Sequence, residues 1–242
     1  LAKQLYGGLG YNPFNPALVA RVGLLIGFTQ IMTTWSPTKD MLKNPNHPLH
    51  SFIEKKEGTD AVTCPTPLGI VKEKTSKEKF QKATSSKAIA EYCVGNRGGC
   101  LGETSVLALL VGGLFLIYCK IIRWQVPVAF IGTIAVFAGI VHAGDPTGSP
   151  PAIFHVVTGG LFLGAFFMAT DMVTSPMTAL GSFIFGIGCG IITSLIRFWG
   201  SYPEGVSFSI LIMNALTPLI DRYTRHNPFG QRPPEKNKFS KN

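Results

Sequence analysis

The chain has 242 residues, of which 46% are hydrophobic and only 14% charged, with a net charge of +9. Soluble domains carry about 25% charged residues, so this composition excludes an ordinary water-facing surface and points to lipid. The basic residues avoid the apolar runs and form no basic helix with interleaved aromatics, so no nucleic acid is expected among the partners.

In chain order, residues 1–34 open with a polar, glycine- and proline-rich stretch containing Asn12 and Asn15, then enter a first apolar run at residues 16–34 that carries Arg21. Residues 35–103 form a long polar stretch holding eleven of the Lys and Arg residues. A connection of that length in a compact bundle reads as a functional loop or a small extramembrane domain. Residues 104–220 contain five further apolar runs, at 104–122, 126–143, 152–170, 180–199 and 206–220, and residues 221–242 are a basic tail. A crossing helix takes about 20 residues and satisfies its backbone internally, as lipid requires. The predicted fold is therefore an all-α polytopic membrane protein with at least six transmembrane helices. Gly112, Gly113, Gly159, Gly160, Gly164, Gly186, Gly188 and Gly190 lie inside the runs and read as packing positions where helices approach closely.

Orientation follows from the short loops. Lys120 and Arg123 lie between the second and third runs, and Arg222, Arg225, Arg232, Lys236, Lys238 and Lys241 lie in the tail. Both belong on the cytoplasmic side by the positive-inside rule, which leaves residues 35–103 periplasmic or extracellular.

Three segments are polar for their positions: residues 7–16, residues 102–105 with Glu103 and Thr104, and residues 171–178 with Asp171, Thr174 and Ser175. Each puts hydroxyl, amide or carboxyl groups near a helix end, where free N–H groups suit a phosphate or a ring edge. The same residue types also make ordinary caps and turns. Arg21, Asp171 and Asp221 are charges at or within apolar runs and need partners or water, and the run around Arg21 holds no acid. The five histidines show no pair at helical ligand spacing, which argues against haem. Cys93 and Cys100 read as two thiols, as a bridge, or as part of a metal site. No catalytic residue stands out; Thr66, between Pro65 and Pro67, has no neighbouring base to make it a nucleophile.

The strings GGLGYNPFNPA, GETSVLALLVGGLFLIY, FHVVTGGLFLGAFFMATDMVTSPMT and NALTPLIDR resemble the D subunits of Rnf complexes and, more distantly, the B subunits of sodium-pumping NADH:quinone reductases. The resemblance implies an inner-membrane complex with other Rnf subunits that passes electrons between ferredoxin and NAD while moving Na⁺ or H⁺. It implies about ten helices in two related halves, so that further helices precede Leu1. It also implies FMN joined by a phosphoester to a threonine in a D-x-x-S/T-G-A-T motif, installed by a separate flavin transferase. The matching stretch is Asp60-Ala61-Val62-Thr63-Cys64-Pro65-Thr66, which makes Thr66 the attachment residue. Cys64-Pro65 replaces Gly-Ala and makes a stiffer turn. A second, non-covalent flavin (riboflavin or FMN) is associated with the family, and Asn12, Asn15, Glu103, Thr104, Thr174 and Ser175 are its candidate contacts. Asp171 and Asp221 are the candidate ion-handling acids.

Two other readings stand beside this one. A secondary transporter would use interruptions at residues 12–16 and 171–176 as a solute or ion site. A structural member of the same complex would have lost its flavin through the Cys64-Pro65 change.

Overall fold

The computed structural model describes residues 2–8, 10–33, 35–43, 50, 53–55, 62–73, 77–100, 102–146, 148–200, 202 and 204–224. A short 3₁₀ turn (Gln4–Tyr6) leads to α1 (Pro16–Gly27), which starts where the Asn15 side chain accepts from the Ala17 and Leu18 amides and Pro16 occupies the first turn. The helix breaks at Phe28 and resumes as α2 (Thr29–Met32). Twelve residues rise about 18 Å, short of the roughly 30 Å of a hydrocarbon core.

Among its described residues the long polar stretch is mostly helical. It contains α3 (Lys39–Lys43), an antiparallel ladder of β1 (Glu54–Lys55) and β2 (Val62–Thr63), α4 (Pro67–Glu73), α5 (Lys77–Thr84) and α6 (Ser86–Val94). Met41, Cys64, Leu68, Ile70, Ala83, Ala88 and Tyr92 are buried in one core with Val106, Phe154, Val157, Phe162 and Phe166 of the bundle. The stretch is thus docked onto one end of the bundle.

The bundle proper comprises α7 (Val106–Tyr118), α8 (Gln125–Gly144), α9 (Ala152–Val157), α10 (Leu161–Leu163) running into a π-helical turn (Gly164–Met168), α11 (Ala179–Trp199) and α12 (Val206–Thr224). Leu18, Phe130, Ile134, Leu161, Phe185, Cys189, Ile210 and Met213 fill its centre. A Cβ on Gly186 would lie 2.7 Å from the Ala129 Cβ, and one on Gly190 would lie 2.5 Å from the Thr133 Cβ. These glycines let α8 and α11 touch backbone to side chain, as their positions in the sequence suggested.

The predicted runs map onto helices, but not onto six continuous spans. Among the described residues only α8 and α11 are both long and apolar enough to cross a bilayer unbroken. The second run yields the 13 residues of α7, the fourth is interrupted at residues 158–160, and α12 has 19 residues but is more polar.

The surface of α11 explains the composition. Leu180, Ile184, Ile187, Ile191 and Leu195 form an exposed stripe, while Ser182, Gly186, Gly190, Thr193, Ser194 and Arg197 face inward beside the apolar Phe185 and Cys189. A helix in water does the reverse. Small and polar inside with apolar outside is the arrangement lipid favours, with hydroxyl pairs such as Thr193 to Ser209 at 2.7 Å joining neighbouring helices.

Candidate functional site

The fourth apolar run is interrupted by Thr158-Gly159-Gly160. Thr158 is extended, and Gly159 has φ +74°, a left-handed conformation that favours glycine. The break leaves the last carbonyls of α9 without helical donors, and two buried arginines supply them. Arg97 donates to the Val157 carbonyl at 3.0 Å and to the backbone oxygens of Glu103 and Gly159. Arg197 donates to the carbonyls of His155 at 2.6 Å and Thr158 at 3.3 Å. A cation inside a span is costly unless compensated, and here the interrupted helix compensates it.

Two carboxylates complete the cluster. Arg21 lies 3.0 Å from Glu204 and 3.7 Å from Glu103, so the arginine whose run lacks an acid is paired by acids from two other segments. Glu103 is 3% exposed and its Oε2 lies against the break, where a Cβ on Gly160 would sit 2.5 Å away. Burial and the nearby Glu204 push the Glu103 carboxyl up to about 7, against the pull of Arg21 and Arg97. Gly159 is enclosed equally tightly, since a Cβ there would lie 2.7 Å from Leu68 Cδ1 and 2.8 Å from Arg197 Nη2.

Beside the break lies a cavity of about 250 Å³ whose wall includes Leu68, Lys72, His155, Arg197, Phe198 and Trp199. Lys72 reaches across to the carbonyls of Ile196 and Tyr202. Both ring nitrogens of His155, itself 5% exposed, and Nε of Arg197 have no hydrogen-bond partner among the described residues. Leu68, Val71 and Lys72 come from α4, and Thr66 caps that helix, its Oγ1 accepting from the Gly69 amide at 3.2 Å. In that bond the threonine hydroxyl serves as an acceptor, and its hydrogen is left for other use.

At the opposite end, residues 171–178 are stitched to α12. Thr217 donates to the Thr174 carbonyl at 3.0 Å, Asp221 accepts from the Met177 amide at 3.0 Å, and Thr178 pairs with Thr224 at 2.7 Å. Arg123 donates to the Met177 carbonyl. A cavity of about 360 Å³ there is lined by Ser175 together with Lys120, Arg123, Thr170 and Ser182.

Comparison with known proteins bears on what these ends serve. The model of the NQR2, RnfD, RnfE family matches residues 1–230. The chain belongs to this family. It is 46% identical over 239 residues to the D subunit of the proton-translocating ferredoxin:NAD(+) oxidoreductase complex of Clostridium ljungdahlii, covering 96% of this chain and 66% of that relative. It is 44% identical over 232 residues to the D subunit of the Na(+)-translocating ferredoxin:NAD(+) oxidoreductase complex of Acetobacterium woodii, covering 95% and 63%. The D subunit of an ion-translocating oxidoreductase complex of Stutzerimonas stutzeri is 40% identical over 240 residues, covering 96% and 67%. The chain spans about two thirds of the length of these relatives. The family is a membrane family, in keeping with the outward apolar stripe of α11.

The candidate residues fall into separate places. Thr66 caps α4, which lines the first cavity through Leu68, Val71 and Lys72, and Glu103 lies in the charge cluster at the break. Thr63 is in β2, with only its backbone described, and Asp60 falls outside the described residues. Thr104 precedes α7, whose cap is Ser105. Asn12 donates to the Phe14 carbonyl, and Asn15 caps α1 while donating to the Met168 carbonyl at 3.2 Å. Thr174 donates to Asp171 at 3.0 Å. Asn12, Asn15, Thr174, Asp171 and Asp221 are therefore engaged in local structure, and of the second-flavin candidates only Ser175 lines the larger cavity. Cys93 and Cys100 remain thiols. The segments at 12–16 and 171–176 form a cap and a loop rather than interruptions within a helix; the interruption is at residues 158–160. Sequence reading missed Arg97, Arg197, Glu204 and Lys72. Arg197 was open to the rule that singled out Arg21, being a charge inside an apolar run.

Proposed function

We propose that the chain is the flavin-carrying membrane component of an Rnf-type complex, relaying electrons between ferredoxin and NAD with coupled transport of Na⁺ or H⁺. The relatives' names supply the complex and its reaction. The observation that carries the flavin is Thr66, whose hydroxyl accepts a bond while its hydrogen stays available, and whose helix forms a wall of a cavity with unsatisfied donors and acceptors. Cys64, at the departure from the family motif, is buried, and its amide donates to the Trp35 carbonyl at 2.9 Å, so the Cys64-Pro65 turn is held in place.

In this reading Thr66 holds FMN through its hydroxyl oxygen, and the flavin, once bound, supplies reversible one-electron chemistry. His155 and Arg197, which line the cavity, carry ring nitrogens and an Nε without hydrogen-bond partners among the described residues, and Phe198 and Trp199 give it an apolar wall that limits water. Lys72 and Arg197 bring positive charge to the same wall, which favours electron arrival. The end carrying residues 35–103 is the outer one, since the basic loop at Lys120–Arg123 and the basic end of α12 meet at the other. The cavity lined by Ser175, Lys120 and Arg123 gives room for a second, non-covalent flavin.

The test is flavin fluorescence of the denatured protein, produced in a host with the flavin transferase, beside Thr66→Ala. Fluorescence that survives denaturation and vanishes in the variant supports attachment at Thr66. A dark band from the unaltered chain, with the transferase active on another substrate, removes covalent flavin from this protein.

A further inference from the structure

We propose that Glu103 is a buried proton-binding site at the interrupted helix, with Arg21 shared between Glu103 and Glu204 as the element that responds to its charge. Asp171 and Asp221, the acids that sequence position favours, are held by Thr174 and by the Met177 amide. Glu103 is placed differently. It is 3% exposed, and its Oε2 is buried with no hydrogen bond among the described residues. Arg21 leans toward Glu204, at 3.0 Å against 3.7 Å, which leaves Glu103 on the long side of a shared cation.

The surrounding charges decide which ion the site takes. Glu103 meets Arg21 from α1, Arg97 from the segment after α6, Arg197 from α11 and Glu204 from the segment before α12, and the Cys100 backbone also hydrogen-bonds to it. Arg97 and Arg197 spend their donors on carbonyls, Arg97 taking the backbone oxygen of Glu103 rather than its carboxylate. A sodium ion needs several oxygens and suffers from adjacent guanidinium groups, such as those of Arg21, Arg97 and Arg197 around this carboxylate. A proton needs one oxygen lone pair and reduces the charge that burial opposes. Binding converts the carboxylate to the neutral acid, the proton coming from water by way of the Glu204 carboxylate, which is 23% exposed. No electron is transferred in this step. Burial already holds the carboxyl near neutral pH.

The site also adjoins the cavity. Arg197 lines the cavity, and the space a Gly159 Cβ would fill is bounded by Arg197 Nη2 and Glu204 Oε1. Negative charge entering the cavity draws on Arg197, weakens its support of the carboxylates and raises the proton affinity of Glu103. By linkage, protonation of Glu103 favours that charge equally. This last coupling rests on the flavin reading above; proton binding by Glu103 does not.

The experiment is an infrared pH titration of the assembled complex in lipid, following the C=O stretch of a protonated carboxylic acid that shifts in D₂O. A band titrating near neutral pH is expected in the unaltered complex, absent from Glu103→Gln and retained in Asp221→Asn. In Glu204→Gln, which keeps Glu103 but removes its like-charged neighbour and frees Arg21, the midpoint moves to lower pH. Reduction of the flavin moves it to higher pH. A titration unchanged by Glu103→Gln between about pH 5 and 9 overturns the site. So does an unmoved midpoint in Glu204→Gln, which decides the matter even where Glu103→Gln fails to assemble. A midpoint that falls as Na⁺ is added at fixed ionic strength also overturns it, in favour of a metal-cation site. A complex whose flavin is absent from Thr66 but whose Glu103 band still titrates removes the flavin reading and leaves the proton site standing.

Discussion

At one end of the bundle five charged side chains meet around three residues that break a helix; at the other, residues 171–178 are fastened to α12 by hydroxyls, an amide and a carboxylate. Both segments are polar stretches at or within apolar runs, yet their groups are satisfied in different ways. Residues 171–178 are satisfied mostly by uncharged groups and one carboxylate: Thr178 caps α11, Thr174 reaches Asp171 three residues away, and Thr217 and Asp221 of α12 take up two backbone groups. The break at residues 158–160 instead gathers five charged side chains, Arg97, Arg197, Arg21, Glu103 and Glu204. A self-satisfied polar loop holds a fold together. Buried charge gathered from several segments instead leaves groups such as Glu103 Oε2, the His155 ring and Arg197 Nε without hydrogen-bond partners among the described residues, open to a ligand, a proton or a field.

Removing Arg197 is the severest way to test that contrast. Arg197→Ala strands the His155 and Thr158 carbonyls and the nearby carboxylates, at an expected cost of about 3–5 kcal/mol, the range for breaking a buried charge network. Arg197→Lys keeps the charge but loses the fork that reaches both carbonyls, so it recovers only part. Thermal unfolding in detergent, read by thiol labelling of Cys189, which is fully buried in the fold, measures both. An Arg197→Ala protein as stable as the original removes the charge cluster from any account of this fold. The next largest effect is expected at Gly159, where alanine meets both a left-handed φ and the Arg197 and Leu68 side chains, costing about 1–3 kcal/mol. Gly132 on α8 has nothing within 4 Å of its added Cβ, so Gly132→Ala in the same assay is expected to be neutral or slightly stabilising.

The helical fold, the long polar stretch and most run boundaries were legible because lipid demands long apolar helices and leaves loops polar. Asn15 and Thr178 turn out to be caps, the alternative that their residue types left open beside a binding site. The break was not legible. Gly159-Gly160 reads like the packing pairs at Gly112-Gly113 and along α11, and only the left-handed φ with two arginines on the freed carbonyls distinguishes it. Arg97 lies 62 residues from Gly159 in the chain, Glu204 is similarly remote, and no local pattern announces a contact across such distances. Thr66 was singled out through family resemblance alone, and that the helix it caps lines a cavity emerges only once α4 is docked.

Glu103 predicts how stability depends on pH at the charged end. Its folded carboxyl is raised from an ordinary value near 4.5 to about 7, so the folded state holds the proton more tightly than the unfolded chain. Stability from this group is fully present below about pH 4.5 and is lost as pH rises through about 7, a swing of about 3 kcal/mol. Glu103→Gln is expected to flatten that part of the profile, measured with the Cys189 assay from acid to neutral pH. A profile equally steep in the variant assigns the titration to another group.

The smallest effect is expected at the other end. Asp221 Oδ1 accepts the Met177 amide at 3.0 Å, and in Asp221→Asn the corresponding oxygen accepts it equally well. Only charge assistance is lost, so the change is expected within about 0.5 kcal/mol. Thr178→Ala, which removes the α11 cap and the bond to Thr224 together, should cost about 1 kcal/mol. That pair of variants isolates charge from hydrogen bonding within one loop. If Asp221→Asn proved more damaging than Thr178→Ala, the carboxylate would be acting through its charge. This end would then belong with the interrupted helix rather than stand in contrast to it.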